Sequence, residues 1–279
     1  MIRDIAGRQN HSVKLARKLQ KKKHRRERGL LVGEGMDLLR AAWAAGAEIR
    51  DVLVRQDLIS ELPPDLVARA AQERAPDTAG VDVGRCDPET LDYVSSLGGN
   101  ADVVFTCVEP VWGLADLVMG EGLTFFLDGV GDPGNVGTIV RCMTAFGGAG
   151  VVCSPGTADP YGPKAMRAGM GAQFELPVVV EVTAGDLKAR LEAEAHRGAC
   201  APEVLVADPH EGRDVRQVMA RRGTVVILGA ERTGPGGDWE AAPRITIHQT
   251  RFESLNVAMA ATILAYELST ADVGPSSKC

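Results

Sequence analysis

Gly129, Gly131 and Gly134 in LDGVGDPGNVGTIVRCMTAFGG (residues 127–148) spell G-x-G-x-x-G after an apolar run and before a helical pattern. In a dinucleotide-binding fold such glycines let the backbone approach a pyrophosphate at a helix N-terminus. That chemistry also needs the third glycine inside the opening helix and an acid about twenty residues on for the ribose. Here Pro133 stiffens the turn before Gly134, and the next strand, GVVCS, ends in Ser154 and Pro155. Asp159 lies past that Pro-Gly loop. A chain with 32 glycines reaches this spacing by chance, so the dinucleotide reading fails.

Other residues at the same loop could do different chemistry. Val136, Ile139, Val140 and Met143 recur on a helical period and define a packed face. At 100° per residue, Arg141 projects about 140° from Val136, away from that face. Asn135 stands at the helix start, where its side chain can cap free N–H groups. Alone, the two describe a capped helix with a solvated arginine. Two further polar loops follow strand-like runs: ILGAERTGPGG (227–237) carries Glu231, and HQTRFESLNVAMAA (248–261) carries Ser254 and Asn256. Taken singly, these are a loop carboxylate, an N-cap and a helix-start amide. Three such loops at strand ends of one α/β sheet converge on one crevice.

The elements that must position them alternate. Strand-like runs fall at 123–128, 150–154, 176–180, 203–208, 224–229 and 244–248, with helical segments near 135–147, 161–170, 185–197 and 212–221. This pattern predicts a mostly parallel sheet covered by helices on both faces. A last helix, 254–268, is apolar nearly all round and needs burial on most sides, in the core or against a partner subunit. Upstream, a short strand (LLV), a helix with Met36, Leu38, Leu39, Ala42 and Trp43, and further strands IRDVLV and ADVVFTCV make a small α/β domain. The expected organisation is a domain over 1–106, a linker over 107–121, a second α/β domain over 122–270, and a frayed tail over 271–279.

Composition narrows the function. No apolar stretch is long enough to span a membrane, and MIRDIAGRQN lacks a signal-peptide core. The six cysteines are scattered, with no C-x-x-C and no His/Cys cluster, which predicts reduced thiols, a cytoplasmic protein and no metal site. The net charge of −6 hides an asymmetry: KLARKLQKKKHRRER (14–28) carries nine Lys or Arg against one Glu. A basic arm on an acidic body points to a local nucleic-acid contact, with Lys21, Lys22, Lys23, Arg25 and Arg26 as candidates, or else to a solvated helix face.

At these segments the chain resembles the SpoU (TrmH) branch of the SPOUT RNA methyltransferases. GNVGTIVRCMTAFG matches the first family motif, ILGAERTG the second and ESLNVAMAA the third, in order across residues 123–268. PKAMRAGMGAQFELPVV resembles the segment between the first two motifs, and residues 10–106 resemble the family's RNA-binding domain, itself like small ribosomal proteins. The resemblance implies an α/β SPOUT domain with a deep trefoil knot, an exception to unknotted topology. It also implies a homodimer, and transfer of a methyl group from S-adenosyl-L-methionine to a ribose 2′-hydroxyl of ribosomal RNA of the 23S type, or next of transfer RNA. Arg141 then grips the neighbouring phosphate and stabilises the developing alkoxide, since a guanidinium is a poor base. Asn135, Glu231, Ser254 and Asn256 orient the reacting groups. Leu228, Gly229, Ala230, Ile247 and Leu255 hold the cofactor, and Arg167 meets an RNA phosphate.

The match is incomplete. Ala230 stands where the family often has Asn, Ile247-His248 where Ile-Pro usually opens the third motif, and Gly169 where Ser is common; the loop from Ile247 to Leu255 is one residue shorter. These departures leave a second reading, a non-catalytic RNA-binding or assembly factor on the same fold.

Overall fold

The computed structural model describes residues 2–72, 80–96, 99, 101–196, 202–218, 223–251 and 254–269. The chain divides into two compact units, Met1–Pro110 with Tyr161–Phe174, and Val111–Pro160 with Glu175–Cys279. The expected tail, 271–279, lies outside the described residues.

The first unit runs β1 (Ile2–Ile5), α1 (His11–Leu19), α2 (Lys22–Arg28), β2 (Leu30–Glu34), α3 (Met36–Ala44), β3 (Ile49–Arg55), α4 (Pro64–Ala71), β4 (Asp82–Cys86), α5 (Pro88–Val94) and β5 (Val103–Val108). Its five-stranded sheet has the order β1-β4-β3-β5-β2. The basic run is no loose arm. In α1 the apolar spacing puts Val13, Leu15, Ala16 and Leu19 into a core with Val32, Leu53, Leu91 and Val104. Lys14, Arg17 and Lys18 occupy the opposite, exposed face. Asn10 caps the helix by accepting from the Ser12 N–H.

The second unit contains β6 (Leu123–Asp128), α6 (Pro133–Ala145) and β7 (Gly150–Cys153). Then comes α7 (Pro163–Gly169), which falls in the first unit, followed by β8 (Val178–Val179), α8 (Ala184–His196), β9 (Glu203–Ala207), β10 (Arg213–Asp214), β11 (Thr224–Gly229), β12 (Arg244–Thr246) and α9 (Val257–Ser269). The seven strands form one sheet in the order β10-β12-β9-β11-β6-β7-β8. Every pairing is parallel. Buried on both faces, β6 and β11 read as nearly continuous apolar runs. Phe126, Val152, Val225 and Ile227 pack with Leu187 and Leu191 of α8 and with Trp239. Helix α9 lies on α6, β6 and β11.

Two elements depart from expectation. The segment 212–221 is not a helix where it is described: Arg213 and Asp214 pair with Ile245 and Thr246, and Asp214 then caps a short 3-10 turn, Val215–Gln217. Parallel pairing at the sheet edge outweighs the weak helical pattern there. Residues 219–222 lie outside the described residues. The last helix begins at Val257 rather than 254, because Asn256 caps it.

Candidate functional site

Parallel pairing aligns Gly229, the last residue of β11, with Asp128, the last of β6, so the loops that follow leave the same edge of the sheet side by side. Carboxyl-end loops of this kind are where open α/β sheets build their sites. Asp128 Oδ2 accepts from the Gly236 N–H at 2.8 Å and ties the two loops together. Gly129, at φ +75°, makes the turn out of β6 in a backbone region that favours glycine. Its N–H donates to Ser154 Oγ at 2.9 Å.

The cap of α6 is Asp132, not Asn135. Its carboxylate accepts from the N–H groups of Gly134 at 2.7 Å and Asn135 at 3.0 Å, with Pro133 at the first helical position. Asp132→Ala should cost about 1 kcal/mol of stability, read as a fall in the thermal midpoint, whereas Asp132→Asn should retain most of it.

Because Asp132 takes the capping role, the Asn135 amide is available for other partners. Its Nδ2 donates to Glu231 Oε1 at 2.8 Å, and its Oδ1 accepts from Asn256 Nδ2 at 3.1 Å. One relay thus joins the three loops, Glu231–Asn135–Asn256, from residues up to 121 positions apart. Asn256 Oδ1 faces the other way and accepts from the N–H groups of Ala258 at 2.9 Å and Met259 at 3.3 Å, so Asn256 rather than Ser254 caps α9. Ser254 is exposed and makes no hydrogen bond among the described residues.

Arg141 projects from α6 on the exposed side with Thr138, and no described residue pairs with its guanidinium. Below it, Cys142 is buried, and that desolvation raises its thiol pKa, with partial relief from a hydrogen bond to Thr262. A protonated, buried thiol takes no part in surface chemistry.

The cofactor candidates line the loops after β11 and β12. Leu228 is buried, and Gly229, Ala230, Ile247 and Leu255 are half-buried. At Gly229 a side chain is excluded: a Cβ would lie 2.1 Å from the Pro235 nitrogen and 2.2 Å from the Gly234 carbonyl carbon. The loop folds back there through a Gly234 N–H to Ala230 carbonyl bond of 2.9 Å. In the loop after β12, Gln249 Oε1 is buried without a partner among the described residues. An orphan acceptor two residues after the half-buried Ile247 fits a ligand that carries N–H donors and apolar surface. Among the described residues no cluster of His, Cys, Asp and Glu could hold a metal ion, and no helix is long and apolar enough to cross a membrane.

The basic candidates separate. Lys21, Lys22, Lys23 and Arg26 are exposed. Arg25 is not a surface cation: it is 4 % exposed, and its Nη1 donates to the carbonyls of Leu19 at 3.0 Å and Gln20 at 3.2 Å. Those are carbonyls left open where α1 ends, so Arg25 serves the fold. Arg167 of α7 is partly exposed and docks against Ser96 and Glu34 within the first unit.

Comparison with known proteins identifies the family. The model of the SpoU rRNA Methylase family matches residues 122–266, and that of the MRM3-like substrate binding domain matches residues 10–98. The chain is 25 % identical over 270 residues to the 23S rRNA (guanosine(2553)-2'-O)-methyltransferase RlmP of Bacillus subtilis, covering 96 % of this chain and 99 % of that protein. An AdoMet-bound rRNA methyltransferase from Sinorhizobium meliloti superposes with a TM-score of 0.77 at 26 % identity, covering 96 % of this chain and 97 % of that one. The SpoU methyltransferase AviRb from Streptomyces viridochromogenes, with a TM-score of 0.80 at 24 % identity over 94 % of this chain and 97 % of that one, shares the fold. With more than half of its residues matched by the family model, the chain belongs to the SpoU rRNA methylase family.

Proposed function

We propose that the protein transfers a methyl group from S-adenosyl-L-methionine to a ribose 2′-hydroxyl of ribosomal RNA of the 23S type, with transfer RNA the next substrate class. The observation that carries this reading is the Glu231–Asn135–Asn256 relay, which fixes three carboxyl-end loops around a helix bearing an exposed Arg141. The family membership and the relatives' activities support it.

The cofactor, when bound, supplies an electrophilic methyl group. The chain's own residues supply alignment, which can be worth several orders of magnitude in rate. Arg141 donates a charged fork to the phosphate beside the target ribose and to the oxygen as it becomes an alkoxide. A guanidinium is too weak a base to take the proton, which passes to that phosphate or to water. Asn135 and Glu231 hold the loops at a fixed spacing, and Gly229, Ala230, Ile247 and Leu255 with Gln249 provide the seat for the cofactor. Lys21, Lys22, Lys23, Arg26 and Arg167 bring phosphates to the first unit.

The reading extends to topology and assembly. The C-terminal segment after β12 is taken to thread the trefoil knot of the SPOUT fold. On α9 one side faces α6 and the sheet, while Met259, Ile263 and Tyr266 stay 63 %, 36 % and 53 % exposed at i, i+4, i+7. Such a stripe suits a second copy of this chain. Ile263→Arg should convert a dimer to monomer in sedimentation experiments; a wild-type protein that sediments as a monomer at micromolar concentration ends that part of the reading.

The test is incubation with radiolabelled S-adenosyl-L-methionine and unmodified ribosomal and transfer RNA, followed by mapping. Alkali-resistant label at one nucleotide is the expected result. Absence of both label and cofactor binding overturns the reading.

A further inference from the structure

In the first unit, Glu34 ends β2 with its side chain 1 % exposed. An acid this deep requires donors on every side, and it has them. Gln20 Nε2 reaches its Oε1 at 2.7 Å, Ser95 Oγ its Oε2 at 2.9 Å, and the Ser96 N–H and hydroxyl each its Oε1 at 2.9 Å. Among the described residues the cation facing it is Arg167, whose Nη1 lies 3.7 Å from Glu34 Oε2 and donates to Ser96 Oγ at 3.1 Å. Arg167 side chain is 32 % exposed, and no described residue takes its Nε or Nη2. One corner of the guanidinium is therefore docked while the side chain as a whole stays partly exposed.

We propose that Glu34 is a positioning residue: a buried carboxylate that, through Ser96, orients Arg167 so that its outward N–H groups grip an RNA phosphate. The proposal rests on the methyltransferase reading for its ligand. A free surface arginine loses rotamer entropy on binding a phosphate, and a docked one has already lost it. Planar guanidinium geometry makes the orientation matter, because a phosphate is held by two parallel bonds only from the right direction.

The probe is an unmodified 23S-type rRNA transcript, with equilibrium affinity measured in a salt series and steady-state kinetics measured alongside. Arg167→Ala should weaken binding about tenfold and reduce the salt slope by about 0.7–0.9, the loss of one phosphate contact. Glu34→Gln, which keeps the shape and loses the charge, should raise KM for RNA three- to tenfold with kcat retained at saturation. The Glu34→Gln/Arg167→Ala double variant should bind no worse than Arg167→Ala. Multiplying losses, or an unchanged KM in Glu34→Gln, would overturn the proposal. If Glu34→Gln does not fold, Ser96→Ala removes the bridging hydroxyl from an exposed position; a two- to fivefold rise in KM at an unchanged thermal midpoint supports the proposal, and none overturns it. Binding needs no turnover, so a wild-type protein that binds this RNA without methylating it fails the functional reading and leaves Glu34 judged on affinity alone.

Discussion

Arg141→Ala is expected to lower methyl transfer by about 10²–10³-fold, the scale of removing one charged donor from a transition state. Cofactor affinity and the thermal midpoint should stay at wild-type values. The stability half follows from the structure: Arg141 is exposed and without a partner among the described residues, and surface changes away from special features shift stability little. The rate half follows from where charge develops. A guanidinium that meets the alkoxide and the adjacent phosphate is used mainly in the transition state, so its loss falls on kcat. Arg141→Lys keeps the charge and loses the planar fork, and it should recover only part of the rate. Single-turnover transfer with labelled cofactor, beside calorimetric cofactor binding, separates the two halves. Undiminished transfer in Arg141→Ala removes this residue from the mechanism.

Asn256 allows the second large effect to be split cleanly. Its Oδ1 caps α9 while its Nδ2 donates to Asn135. Aspartate caps a helix as well as asparagine, so Asn256→Asp keeps the first role. It loses the second, and it sets a carboxylate against the Asn135 Oδ1 of a relay that already ends in Glu231. The expected result is a kcat lower by about 10–100-fold, which is roughly 1.4–2.7 kcal/mol of barrier, at a nearly unchanged thermal midpoint. Asn256→Ala loses both roles and should also cost about 1 kcal/mol of stability, a fall of about 2–4 °C for a domain of this size. Full activity in Asn256→Asp would show that the relay does not organise the site.

The convergence of Asn135, Glu231 and Asn256 was legible in the sequence because each follows a strand-like run in one alternating α/β pattern. Which residue caps which helix was misassigned, although the signal was present: Asp132 precedes Pro133, and an acid before a proline at a helix start is a capping signature. The 212–221 segment misled because helical spacing is weak evidence beside a sheet edge. Arg25 shows a different limit. Within nine basic residues nothing local distinguishes the one whose guanidinium turns inward to finish α1, because the carbonyls it satisfies are set by tertiary packing. Glu34 left only a faint trace, an acid at the end of the apolar run LLVGE, and its donors come from positions 14 to 62 residues away. Contacts at that distance leave no periodicity to read.

The first unit is assembled from two separated stretches, Met1–Pro110 and Tyr161–Phe174, and this has a consequence for how the chain is born. A ribosome working at about 5–20 residues per second finishes Pro110 and then spends roughly 3–13 s reaching Phe174. For that interval the nascent sheet holds the Glu34 carboxylate without Arg167, and the seat of α7 stands open on β2. The N-terminal unit is begun first and completed first, but not in one run. Its final piece is delivered only after β6, α6 and β7 of the other unit have been made, so the nascent first unit waits, incomplete, while the second is begun.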